Sequence, residues 1–421
     1  MIFFQAILGL TFFILLPWCM SDNRTKVQWG TIIKGIVIQF ALAFILLNIP
    51  FFRNIFMSLN SVVLGLQEAS KAGTSVVFGY LGGAQLPFDE KFPGSSFIFA
   101  FQALPLVLLI SAISTLLFYW KILPMVVQGF SWALKKIFKI GGSEGLGISA
   151  NIFVGMVEAP LFIQPYLSKM TKSEIFSLMT SGMATIAGTV MVLYATILGN
   201  TVPDVLGHIL VASIISAPAA LTVAKIMVPE TDNVTISAKV TMNDPPISAM
   251  DAISKGTVQG VSLLINIVAM LIVLIALVHI IDLMLGILPD FKGVPLTLQR
   301  ILGWVMAPVT WLMGVPWHEA HTAGSLMGIK TALNEFLAYL ELSKLSDAAL
   351  SDKSRLIMIY AMCGFANPGS LGIMIGGMGT MAPDKRGEIT KLGFRALIAG
   401  TIATCMTGTV VGVIITITRI C

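Results

Sequence analysis

Eight stretches of this 421-residue sequence are apolar for long enough to cross a bilayer as helices: about 2–20, 35–52, 97–120, 174–199, 205–227, 258–287, 356–378 and 396–418. A helix spans the roughly 30 Å hydrocarbon layer with about 20 mostly apolar residues, and it is favoured there because it satisfies its own backbone N–H and C=O groups. Composition agrees, with 56% hydrophobic and only 11% charged residues, against about 25% charged in soluble domains. The first run has no basic leader before it and no small-residue cleavage site after it, so it is expected to stay as a span. A net charge of +5 gives little support to a nucleic-acid partner, because in a membrane protein the placement of basic residues says more than their sum. The four cysteines, Cys19, Cys363, Cys405 and Cys421, are scattered without metal or redox spacing and are expected to be small core residues.

Two segments between the spans, 141–170 and 312–345, are apolar at both ends but carry Gly, Pro and a glutamate within: Gly155-Met-Val-Glu158-Ala-Pro160 and Gly314-Val-Pro-Trp-His-Glu319-Ala320. Each is expected to be a helical hairpin that enters the membrane and returns. Non-helical backbone at membrane depth survives only when buried in protein or lining a wet cavity, so both stretches are site candidates. After each comes a span with a polar break, around Ser181–Gly188 and around Cys363–Ser370, and then one further helix. Placing both termini outside puts 16 of the 26 Lys and Arg residues on the inside, and makes the two hairpins enter from opposite faces. Interrupted helices at corresponding positions of two inverted halves are the sequence sign of a secondary transporter with its site near the midplane.

Glu158 and Glu319 are the leading site residues, because an ionised carboxylate inside a bilayer is costly unless it is paired or wet. Such a carboxylate can accept two hydroxyl hydrogen bonds from a polyhydroxylated ligand, or help to hold a cation. Asn151, Thr185 and Asn367 offer neutral oxygens beside irregular backbone, where freed carbonyls can complete a sodium site. His318-Glu-Ala-His321 brings the histidines one residue too close for the zinc motif His-Glu-x-x-His. His279 and Asp282 suit a structural pair, and Glu335 and Lys330 receive no role because no backbone break is expected near them. The polar segment 226–255 suits an exposed loop, while 53–92 and 290–312 are expected to hold interfacial helices.

The ordered motifs Asn151-Ile-Phe-Val-Gly-Met-Val-Glu-Ala-Pro160, Gly314-Val-Pro-Trp-His-Glu-Ala320 and Cys363-Gly-Phe-Ala-Asn367 resemble those of the concentrative nucleoside transporters, and the likeness runs through nearly the whole chain. The resemblance implies an all-α polytopic membrane protein with about eight transmembrane helices plus two re-entrant helical hairpins in inverted repeats, assembled as a homotrimer. It divides the chain into scaffold spans (1–140), a first transport repeat (141–228), a loop with a scaffold span and interfacial helix (229–311) and a second transport repeat (312–421). It implies nucleobase contacts at Gly155, Met156, Val157, Glu158 and Val190, and ribose contacts at Glu319, Phe365, Asn367 and Ser370. It also implies a sodium position at Asn151, Val154, Thr185 and Ile186.

Two departures stand out. Many members have Gly-Gln-Thr or Gly-Gln-Ser where this chain has Gly155-Met156-Val157, which removes polar partners from the base pocket and points to broad or purine-accepting selectivity. His318 replaces a frequent asparagine and could make uptake pH-sensitive or serve as a neutral hydrogen-bonding group. The expectation is a cytoplasmic (inner) membrane symporter that imports nucleosides by an elevator-like movement, with sodium as coupling ion, no covalent chemistry and no cofactor. The alternatives are proton coupling, a carrier of the same architecture for another nucleobase-like metabolite, and a membrane hydrolase built on His318, Glu319 and His321.

Overall fold

A computed structural model describes residues 2–91, 95–199, 201–234, 245–291 and 293–420. The middle of the polar loop, with Lys239 and Asp244, and the terminal Cys421 lie outside the described residues. Among the described residues the fold is helical throughout, apart from one bridge between Phe291 and Val294.

Two helices form the centre, Val205–Met227 and Arg386–Ile420. Both are mostly buried, and their polar side chains turn back onto their own carbonyls, as Thr222 does to Pro218 at 2.7 Å and Thr409 to Cys405 at 2.9 Å. Against them lie the two broken spans. The first runs Lys172–Ala184, opens at residues 185–187 and resumes at Gly188–Leu198. Its start is fixed by a capping box in which Thr171 and Glu174 satisfy each other's backbone amides. The second runs Asp352–Met362, opens at 363–367 and resumes at Pro368–Met381. There Pro368 at the first helical position and Asn367 as cap restart the helix, with Ser370 N donating to Asn367 Oδ1 at 2.8 Å. The two breaks lie back to back: a Cβ on Gly364 would come within 2.8 Å of the Met183 carbonyl oxygen.

The first hairpin enters as Gly142–Asn151, turns through 152–157 and returns as the short helices Glu158–Leu161 and Gln164–Leu167. The second enters as Trp317–Ala332 and returns as Glu335–Lys344. Its tip is therefore Leu333-Asn334. The expected interruption at Gly314–Ala320 is instead the entry corner, with Gly314 at φ +105° and Pro316 immediately before the first helical residue. The corner is held by Gln5, whose Nε2 donates to the Val315 carbonyl at 3.0 Å and also to that of Trp311.

The helix Ala249–Leu285 packs on Leu106–Tyr119 through Gly256 and Gly260, whose missing side chains let Ser111, Ala112 and Leu108 approach backbone to backbone. The rest of its apolar surface faces outward, only 6% of its most apolar window being buried, against 89% for Val205–Met227. Six described helices are long and apolar enough to cross a membrane, and a shorter apolar helix covers Phe4–Cys19. The second expected span begins earlier, at Trp29, the segment 53–92 opens with one long helix, Pro50–Phe78, and an unforeseen helix occupies Ile122–Phe138. At one end of the molecule Asp22 accepts from Lys172 at 2.8 Å and from Arg395 at 2.6 Å, while Lys225 pairs with Glu144 at 2.8 Å. Desolvation works to raise the Asp22 carboxyl, but the bonds from Lys172 and Arg395 outweigh it and hold the group below its ordinary range.

Candidate functional site

Both hairpin tips and both helix breaks converge on one cavity of about 210 Å³. The first repeat contributes Gly155, Met156, Val157 and Glu158 from its tip, and Ala187, Thr189, Val190 and Tyr194 from its broken span. The second contributes Leu333, Asn334, Glu335 and Phe336, then Phe365, Asn367, Gly369 and Ser370. The helix Ala249–Leu285 closes one wall with Leu263, Asn266, Ile267 and Met270.

The polar end is built around Glu335. Asn334 caps the returning helix, accepting from Leu337 N at 2.8 Å, which fixes Glu335 in its first turn beside the helix N-terminus. Its carboxylate accepts from Tyr194 Oη at 2.7 Å and from Asn367 Nδ2 at 3.1 Å. The Tyr194 ring is wedged between Phe336 and Tyr339, with centroids 6.1 and 5.0 Å away, so that hydroxyl is well positioned. An ionised carboxylate has about four acceptor sites. Two are used here, leaving capacity for ligand hydroxyls. Glu158 faces the same cavity from the start of its short helix, with its Oε2 over Gly155, where a Cβ would displace the carboxylate. Met156, Val157, Val190, Phe336, Phe365 and Ile267 make the remainder apolar.

The sequence expectations for Gly155, Met156, Val157, Glu158, Val190, Phe365, Asn367 and Ser370 all fall on this lining. Glu319 does not. It sits in the first turn of a 16-residue helix whose far end carries the tip, and at 1.5 Å per residue that helix is about 24 Å long. Its Oε2 accepts from Ser351 Oγ at 3.1 Å, tying the corner to the second broken span, and the 80%-exposed His318 lies 3.5 Å from its other oxygen. The carboxylate that the second repeat places in the cavity is thus not Glu319 but Glu335, sixteen positions later. Gly and Pro marked the wrong bend, since the tip at Leu333-Asn334 has neither. The signal that could have found it was Asn334, a good cap, followed directly by an intramembrane acid. Tyr194, Thr189 and Asn266 were missed because nothing local distinguishes them. His321 packs its ring against Gly303 and Trp304, turned away from Glu319's partners, and Asp282 accepts from Leu298 N at 2.7 Å rather than pairing with His279.

Behind the first tip, Asn151 donates from Nδ2 to the Leu178 carbonyl at 3.2 Å, leaving its buried Oδ1 without a hydrogen-bond partner among the described residues. Thr185 Oγ1 donates to Ser181 O at 2.9 Å and keeps its lone pairs. The turn holding Val154 is clamped to the break holding Ile186 by Gly188 N donating to Phe153 O at 3.0 Å. A buried carbonyl-type oxygen without a donor is what a hard cation would satisfy.

Family models for the Na+ dependent nucleoside transporter C-terminus and N-terminus match residues 208–412 and 8–81, and a nucleoside recognition "gate" model matches 100–201. Nucleoside permease NupC of Helicobacter pylori is 34% identical, the alignment covering 97% of each chain. The chain belongs to the Na+ dependent nucleoside transporter family. Human solute carrier family 28 member 3 is also 34% identical across 96% of this chain, which spans 59% of that longer protein. Among solved structures, inward-facing, substrate-bound CNTnw aligns with a TM-score of 0.91 and 33% identity over 99% of both chains. A variant of CNTnw in an outward-facing state aligns at 0.92 with 32% identity. As a nucleoside transporter family member with multiple apolar helices, the chain is a multi-pass membrane protein and not an enzyme.

Proposed function

We propose that this nucleoside transporter family member is a sodium-coupled symporter that imports nucleosides through the inner membrane by an elevator-like movement of its two repeats. The observation that carries the reading is the two-ended cavity between the hairpin tips. Glu335, held by Tyr194 and Asn367, receives sugar hydroxyls together with Asn367 and Ser370. The apolar side, with Met156, Val157, Val190 and Phe365, receives the base, and Glu158 supplies an acceptor there. Sodium takes the orphaned Asn151 oxygen with Thr185 and the backbone of Val154 and Ile186. Movement of the site between membrane faces is supported by the match to CNTnw in both inward- and outward-facing states. In this reading the hairpins are re-entrant and inverted, residues 141–228 and 312–421 form the transport repeats, and the exposed apolar face of Ala249–Leu285 lies in a homotrimer with both termini outside.

The lining carries few groups able to discriminate bases, so selectivity is broad or purine-accepting. Uptake into proteoliposomes, measured with a nucleoside panel under separately imposed sodium and proton gradients, tests the whole reading. Accumulation should follow the sodium gradient, and adenosine or inosine should compete with uridine. Uptake that ignores sodium and collapses with the proton gradient refutes sodium coupling, and failure of the purines refutes the selectivity.

A further inference from the structure

Five residues before Glu335, on the entering helix of the second hairpin, Lys330 is completely buried, with 0% of its surface exposed. Its Nζ has no hydrogen-bond partner among the described residues. Among the described residues the chargeable groups that act on it are Cys405, Glu335 and Cys363, none of them within hydrogen-bond reach. A lysine held dry without a hydrogen bond is among the least favourable arrangements a protein interior can hold. Glu335 is nearly as dry, at 5% exposure, and its two protein donors, Tyr194 and Asn367, are neutral.

The first repeat holds its cavity carboxylate differently. Glu158 is exposed to the cavity, with the amides of its own turn beside its carboxylate. The first repeat's entering helix ends in Asn151, whose acceptor is orphaned among the described residues, while Lys330 stands two residues before the end of the second repeat's entering helix. Thus one repeat carries a bare acceptor near the end of its entering arm and the other a bare cation.

We propose that Lys330 is the fixed counter-charge of Glu335, a positioning residue that keeps the second repeat's ligand carboxylate ionised without a mobile cation. This rests on the reading that Glu335 receives the ligand's hydroxyls. The other groups facing Glu335 are Tyr194 from the first broken span, Tyr339 from its own helix, Cys363 and Asn367 from the second break, and Glu158 across the cavity. None of these supplies a positive charge. Lys330 and Glu335 are therefore a compensating pair within one hairpin, whereas Glu158 stands open to solvent in the cavity.

The test is a charge cycle on the full-length protein in detergent without nucleoside, comparing wild type, Lys330→Met, Glu335→Gln and the double variant by thermal unfolding. Each single change leaves one buried charge uncompensated and should lower Tm, and the double variant should lose clearly less than the two losses added. Additive losses, or a double variant that fails to fold, overturn the proposal. Uptake in proteoliposomes gives a readout that simple packing would not move. In Lys330→Met the acid limb of the pH profile should shift by about one unit to higher pH, because protons compete for Glu335 without an opposing ammonium. Lys330→Arg should retain the wild-type limb, and an unshifted Lys330→Met profile also overturns the proposal. The thermal cycle needs no substrate, so failure of the nucleoside reading would show separately, as absent uptake by the wild-type protein.

Discussion

Replacing Glu335 by Gln removes a charge while keeping shape and volume. The glutamate offers two oxygens, and Tyr194 Oη at 2.7 Å and Asn367 Nδ2 at 3.1 Å occupy one site on each. A glutamine has a single acceptor oxygen with two sites and an amino group that only donates. If its oxygen turns to Tyr194 and Asn367, the amino group meets the ligand; if it turns to the ligand, a protein donor is orphaned. At least one charge-assisted bond to a sugar hydroxyl is lost in either case. Such a bond contributes about 1.5–3 kcal/mol, and at about 1.4 kcal/mol per tenfold the nucleoside Kd should rise roughly 10- to 150-fold. Calorimetric titration of detergent-solubilised protein measures this, with a 2′,3′-dideoxynucleoside as the internal control. The dideoxy compound makes no such bond, so its Kd should change by less than about threefold and the preference for the riboside should collapse. Equal weakening of both ligands, or an unchanged riboside Kd, would refute the assignment of Glu335 to the sugar. Glu319→Gln, outside the cavity, should leave the riboside Kd within about twofold.

Gly155→Ala places a Cβ on the Glu158 carboxylate. The carboxylate must swing away, and nucleoside affinity should drop at least about tenfold by the same titration, with Tm little changed. Asn151→Ala removes the orphaned oxygen. The sodium concentration for half-maximal uptake should rise by about tenfold or more while saturating-sodium transport persists, and an unchanged sodium curve would count against a cation there. Asp22 has its carboxyl lowered below 3.8 in the folded state. A depressed carboxylate contributes stability that is present above its unfolded value and lost as pH falls through the folded one. The Tm gap between wild type and Asp22→Asn should therefore stay constant from pH 7 down to about 5 and close below about pH 4. A gap that persists unchanged at pH 3 would show that Lys172 and Arg395 do not act through the charge.

By itself the sequence determined the membrane setting, the two hairpins, the two broken spans and the residues of the first tip, because hydrocarbon depth and polar breaks leave local marks. Gly155-Met156-Val157-Glu158 and Asn367-Pro368-Gly369-Ser370 announce irregular backbone through Gly, Pro and a capping side chain, and both line the cavity. Tertiary structure decided which carboxylate of the second repeat lines the cavity. Gly314 and Pro316 announce a bend equally loudly, yet that bend is the corner at the foot of the second hairpin. The actual tip turns at Leu333-Asn334, and its acid is recognisable only once Tyr194, 141 residues away, and Asn367, 32 residues away, are seen to grip it. A backbone break is encoded by a few neighbouring residues, whereas the partner that a buried charge requires is chosen by packing between distant helices. That is why Lys330 and Glu335 stood without a role in the sequence and acquire one only when folding removes both from water.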